Sequence, residues 1–143
     1  MSIDFLPEED RAYLDAKGYA VRGEVEQLPD NSLRRGVIFS DFDVPHNLER
    51  VNDDGSRTCG GVVELLIVIP AGYPVVKLDS WYVSPVLCHP GGAAINCATG
   101  TQDLFGETWQ FWSRHLTNEE WAASDQGLES YMQYVRDELR APS

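Results

Sequence analysis

Apolar and polar residues alternate between Tyr19 and Gln27: Tyr19, Val21 and Val25 share one face, and Arg22, Glu24 and Glu26 the other. That period of two predicts a half-buried strand. Leu28-Pro29-Asp30-Asn31-Ser32 reads as a turn, because Pro fixes φ and Asp, Asn and Ser bond to nearby backbone. A second strand is predicted from Leu33 to Phe42, centred on Val37, Ile38 and Phe39, so that the two form a hairpin. Asp43 to Gly60 is a polar connection with a turn at Asn52-Asp53-Asp54-Gly55-Ser56. Gly61 to Ile69 is the most apolar stretch and belongs at the centre of a sheet; Asp79 to Val83 adds a fourth, aromatic strand. The connections are too short for a parallel crossover helix, which predicts a four-stranded antiparallel meander.

The ends of the chain follow the helical period. Leu6 to Lys17 carries Pro7 and three acids at its start and Gly18 at its end, which predicts a helix docked through Leu6, Tyr13 and Leu14. Thr117 and Glu120 form a capping-box pair opening a turn that bears Trp121. Ser124 or Asp125 is the expected cap of a last helix, with Leu128, Tyr131, Met132, Val135 and Leu139 on one face. The predicted class is therefore α+β, with residues 1–143 as one domain and its helices on one face of the sheet.

Between Tyr73 and His115 regular periodicity is weak, yet the stretch holds Cys88, Cys97, His89, His115 and three of the four tryptophans. A long ordered coil in a domain of this size is where function concentrates. Cys97 lies in coil among the small residues Ala93, Ala94, Ala98 and Gly100 and is the candidate thiol nucleophile; the alternative is a small, partly buried hydrophobe. Cys88 follows Val86-Leu87 and reads as core, and Cys59 as the structural opening of a strand. Cys88, His89, Cys97 and His115 lack the close pairs of a zinc site, so no metal and no cofactor is expected. Trp109, Trp112 and Trp121 are expected to pack as one plug. Ser113 and His115 are not expected to form a hydrolase pair, since near neighbours rarely aim at one atom and no nucleophile-elbow glycines surround Ser113.

Composition narrows the partners. With 11 basic and 23 acidic residues the net charge is -12, which disfavours nucleic acid. The apolar run from Val62 to Ala71 contains Glu64 and is far short of the roughly 20 residues of a membrane span. An acidic start without a secretory signal and an odd number of cysteines suit a reduced cytoplasmic compartment.

Tyr73-Pro74 after the third predicted strand, His89-Pro90 after the fourth, and Cys97 eight residues beyond His89 resemble the ubiquitin-conjugating enzyme fold. Trp109-Gln110-Phe111-Trp112-Ser113-Arg114-His115, followed by Trp121, Asp125 and Leu128, is similar to the bacterial branch of that superfamily. The resemblance implies a ubiquitin-conjugating-like fold: N-terminal helix, four-stranded antiparallel meander, long active-site coil and C-terminal helix. It also implies that Cys97 accepts a ubiquitin-like protein as a thioester from an activating enzyme and passes it to an amine. Those two proteins are the implied partners, with a metallopeptidase encoded beside them and a role in antiviral defence. Arg114 and His115 are expected to tie the coil to the body of the domain, with His115 a secondary catalytic candidate near Cys97. The family's Asn after His-Pro is Gly91 here, leaving Asn96 or backbone N–H groups around Gly100 to stabilise the oxyanion, and Asp103 or Glu107 to orient the amine. A silent member that only binds such proteins is the alternative; a cysteine hydrolase is the third reading.

Overall fold

The computed structural model describes residues 2–124 and 127–143. Among the described residues three α-helices, α1 (Glu8–Lys17), α2 (Asn118–Ala123) and α3 (Leu128–Arg140), accompany nine strands: β1 (Val21–Gln27), β2 (Leu33–Asp43), β3 (Glu49–Val51), β4 (Arg57–Cys59), β5 (Val62–Ile69), β6 (Trp81–Ser84), β7 (Leu87–Cys88), β8 (Thr101–Leu104) and β9 (Glu107–Trp112). The chain is α+β, as its pattern predicts. One sheet runs β1-β2-β5-β6-β9-β8 and a smaller one β4-β3-β7, with every recorded pair antiparallel.

The four predicted strands are β1, β2, β5 and β6, but the meander does not stop there. Residues 101–112, expected as coil, form the β8–β9 hairpin. Its two-residue turn is Phe105-Gly106, both left-handed at φ 52° and 77°, a geometry that matches the twist of the flanking strands. β9 escapes a period-two reading because Trp109, Gln110 and Trp112 are all buried, so both its faces are covered. The polar connection between β2 and β5 also holds structure. β3 and β4 pair across the Asn52–Ser56 turn, and β3 pairs again with β7.

Apolar side chains cover both faces of the large sheet. One set, including Phe39, Leu65, Ile67, Trp81, Val83 and Trp112, packs with Leu14 of α1 and with Tyr131, Met132 and Val135 of α3. The other set is Ile38, Leu66, Leu104 and Trp109, over which Phe105 folds. The sheet curls, so that the Phe105 N–H reaches Glu26 Oε2 at 3.2 Å and the Arg22 guanidinium lies between Glu64 at 2.7 Å and Glu107 at 3.6 Å. Gly36 makes that curl feasible. A Cβ there would sit 2.7 Å from Leu66 Cδ1 and 2.9 Å from the Phe105 ring. Gly36→Val is therefore expected to cost about 1–3 kcal/mol by overpacking. Denaturant melts should show that loss shrinking when Phe105→Ala is added; strict additivity would contradict the contact.

The helices meet around Asp10, which is 5% exposed. Its Oδ1 accepts the Leu128 N–H at 3.1 Å and its Oδ2 accepts the Tyr73 hydroxyl, so α1 caps the start of α3 from a distance. Burial first, and then the Asp10 carboxylate, push the Tyr73 phenol well above its ordinary range. Ser124 is not the cap of α3; it closes α2, where its hydroxyl donates to the Trp121 carbonyl at 2.7 Å. Asp125, the other expected cap, lies outside the described residues. The capping box of α2 is present in both directions, with Glu120 N–H to Thr117 Oγ1 at 3.0 Å and Thr117 N–H to Glu120 Oε1 at 2.9 Å. Those bonds hold the Glu120 carboxyl below its ordinary range. All five predicted apolar positions of α3 are buried.

Candidate functional site

The coil from His89 to Gly100 is pinned at intervals, and the pins decide what it displays. After β7 the chain makes a 3₁₀ turn, Pro90–Gly92, with Gly91 and Gly92 left-handed at φ 87° and 91°. Glycine is suited to both positions. The Gly91 N–H donates to Glu49 Oε1 at 3.2 Å, and Arg57 Nε donates to that same oxygen at 3.0 Å, which seats the turn on the β3–β4 hairpin. His89 contributes through its backbone, its N–H donating to the Ala93 carbonyl at 2.8 Å.

Beyond it Ile95 and Ala98 are buried at 1% and 2%, joined by the Ala98 N–H to Ile95 carbonyl bond at 3.1 Å. Asn96 and Cys97 form the tip of the four-residue turn this bond closes, both exposed, with Cys97 left-handed at φ 53°. A non-glycine residue in that region is uncommon. Two buried neighbours thus hold the thiol at the surface.

Gln110 of β9 supports the turn from beneath. It is 3% exposed and uses both ends of its amide. Oε1 accepts from Leu87 N–H and Trp112 Nε1, each at 2.9 Å, while Nε2 donates to the carbonyls of Leu87 at 2.9 Å and Ala98 at 2.8 Å. A groove of about 250 Å³, lined by Val86, Gly92, Ala94, Ile95, Thr99 and Thr101 among others, opens alongside.

The Ser113 N–H donates to the Cys97 carbonyl at 2.9 Å, so the end of β9 lies against the turn. Ser113 and His115 do meet, although near neighbours were not expected to aim at one atom. Ser113 Oγ is 3.0 Å from His115 Nε2, across the single intervening residue Arg114. His115 Nδ1 is in turn 2.6 Å from Asp79 Oδ1. Both ring nitrogens are therefore engaged. Among the described residues no hydrogen bond joins the imidazole to the Cys97 thiol; the two are linked through Ser113.

Asn96 turns its amide toward the chain end, with Nδ2 3.4 Å from the Ser143 carbonyl oxygen. The N–H groups of Cys97, Thr99 and Gly100 have no acceptor among the described residues. Asp103 accepts from Thr108 Oγ1 at 2.7 Å and Glu107 faces Arg22, both on the β8–β9 hairpin.

The other candidates separate. Cys88 is buried, and burial and then the Glu49 charge push its thiol up. Cys59 does not open a strand: it ends β4, exposed, with Sγ 3.2 Å from the His46 carbonyl oxygen. The tryptophans are not one plug, since Trp109 lies on the opposite face from Trp112 and Trp121. Trp112 stacks on Trp81 instead, at 5.9 Å between centroids. Among the described residues no three His, Cys, Asp or Glu gather as metal ligands, and no helix is long and apolar enough to cross a membrane.

Asp79, Ser113 and Gln110 were missing from the sequence-derived site. Ser113 and His115 carried a readable signal only in their i to i+2 spacing. Asp79 carried none. Residues 6–141 match the model of a family described as prokaryotic E2 family E. No curated protein and no solved structure matches the chain.

Proposed function

The chain belongs to prokaryotic E2 family E, and from that membership we propose that it carries a ubiquitin-like protein as a thioester on Cys97 and transfers it to an amine. The supporting observation is the exposed thiol at the tip of a turn whose flanking residues are buried. A thiolate is the attacking form. It would displace the activating group from the C-terminal acyl carbon, with the chain end lying in the adjoining groove. The second step places negative charge on the acyl oxygen, for which the N–H groups of Cys97, Thr99 and Gly100, without acceptors among the described residues, are the nearest backbone donors in sequence. An activating enzyme, a ubiquitin-like protein and a neighbouring metallopeptidase are the partners this reading carries, in the cytoplasm.

Charging with the cognate activating enzyme and ubiquitin-like protein should give an adduct that thiol reductants cleave. Cys97→Ala should abolish it and Cys97→Ser should convert it to a reductant-stable ester. An adduct that persists in Cys97→Ala would overturn the assignment.

A second reading is a binding module of the same family, favoured by Gly91 in place of the amide donor and by the orientation of Asn96 toward Ser143. Binding of the ubiquitin-like protein without any adduct would select it.

A further inference from the structure

We propose that Ser113, His115 and Asp79 form a second nucleophilic site, an acyl-accepting serine that works without the Cys97 thiol. An ionised carboxylate only accepts hydrogen bonds. The 2.6 Å contact with Asp79 Oδ1 therefore places the proton of the neutral imidazole on Nδ1, and leaves the Nε2 lone pair facing Ser113 Oγ at 3.0 Å. In that tautomer the hydroxyl donates to Nε2. This is the arrangement in which imidazole removes the proton of an attacking serine, with the acid as positioning residue.

The three side chains rest on buried supports. Ser80, 3% exposed and next to Asp79, donates its N–H to the Arg114 carbonyl at 2.9 Å, and its hydroxyl oxygen accepts the Arg114 N–H at 3.2 Å. Arg114, 5% exposed, stands between Ser113 and His115. Tyr131 donates its hydroxyl to the Ser80 carbonyl at 2.7 Å. Asp79 is thereby fixed to the segment that bears its partner, by contacts between buried residues rather than by the exposed ion pair.

The neighbouring coil, joined to Ser113 through the Cys97 carbonyl, supplies N–H groups at Cys97, Thr99 and Gly100 that have no acceptor among the described residues. An acyl oxyanion needs such donors. His115 and Asp79 are 56% and 50% exposed, so the substrate class is an acyl ester or thioester presented at the surface, as on a flexible chain end.

Ser113 Oγ bonds to the acyl carbon as its proton passes to His115 Nε2. The bond to the alcohol or thiol then breaks, and the leaving group takes that proton. Water, deprotonated by His115, cleaves the acyl-serine and returns the proton to Ser113. Atoms balance with water as the only co-reactant.

The test uses the full chain carrying Cys97→Ala, in which no Cys97 thioester forms, so it fails or succeeds separately from the conjugation reading. A fluorophosphonate probe should label one residue, mapped by mass spectrometry to Ser113. Ser113→Ala should abolish the label, and His115→Gln should slow it by about 100-fold, the scale of a general base. Asp79→Asn should slow it several-fold and Asp79→Glu restore part of the rate. Circular dichroism should be unchanged in each variant. No label on Ser113, or a rate indifferent to His115→Gln, would overturn the proposal.

Discussion

Gln110→Leu should lower the stability of the fold by about 4 kcal/mol, with a fall in thermal midpoint of roughly 12 °C. Leucine fits the volume but serves none of the four bonds. It would leave the Leu87 N–H, the Leu87 and Ala98 carbonyls and the Trp112 indole N–H without partners in the interior. A buried donor or acceptor left unmade costs about 1–3 kcal/mol. The expected loss is smaller than four such terms because Gln110 borders the groove, where water can reach some of the orphaned groups. The effect should also be local to the thiol. With the Ala98 carbonyl released, the Ile95–Ala98 turn loses a pin, and iodoacetamide should alkylate Cys97 at a different rate from wild type under native conditions.

Gln110→Glu separates the two halves of the clamp. A carboxyl can still accept from Leu87 and Trp112, but it faces the carbonyls of Leu87 and Ala98 with at most one proton to donate. Burial and those carbonyls raise its folded-state pKa above the unfolded value near 4.3. The deficit relative to wild type should then be smallest below that value and grow as pH rises through the folded pKa, since the charged form is the penalised one. A deficit that shrinks between pH 4 and pH 8 would rule out the carbonyl contacts as the cause.

What could be read in advance depended on whether a residue's partner is local and whether one of its faces is wet. β1 was legible because Val21 and Val25 alternate with Arg22, Glu24 and Glu26, although the faces are not sorted as expected: Val25 is 41% exposed while Glu24 and Glu26 are half-buried. β9 was not, because Gln110 is buried and polar while Trp109 and Trp112 fill opposite faces of the sheet, which erases the alternation. The α2 capping box spans three residues and was legible; the real cap of α3, Asp10, lies 118 residues from Leu128. The same division runs through the candidate site. Exposure of Cys97 follows from a local turn whose ends, Ile95 and Ala98, are buried. The state of His115 follows from Asp79, 36 residues earlier, and only the antiparallel pairing of β6 with β9 brings the segments flanking them together.

Arg114→Ala is expected to cost about 3 kcal/mol, the scale of removing one partner of a buried pair. The guanidinium donates through Nε to Glu138 Oε1 at 2.8 Å and through Nη1 to the Ser113 carbonyl at 2.9 Å, and its carbon lies 5.1 Å from the Trp112 ring centroid. Its side chain is 5% exposed and that of Glu138 is 18%, so bulk salt screens the pair little. The loss should therefore persist in 1 M sodium chloride, unlike that of a surface pair. Arg114→Lys should recover only part of it, because a single ammonium cannot reproduce the planar fork that spans Glu138 and Ser113. The decisive measurement is a double-mutant cycle with Glu138→Gln. A coupling near zero would mean that Arg114 acts through the Ser113 carbonyl and the Trp112 ring and not through Glu138. A coupling above about 1 kcal/mol would establish that α3 holds the end of β9 electrostatically. It would then follow that the spacing of Ser113 and His115 is set from the helix side of the sheet, through the one residue between them.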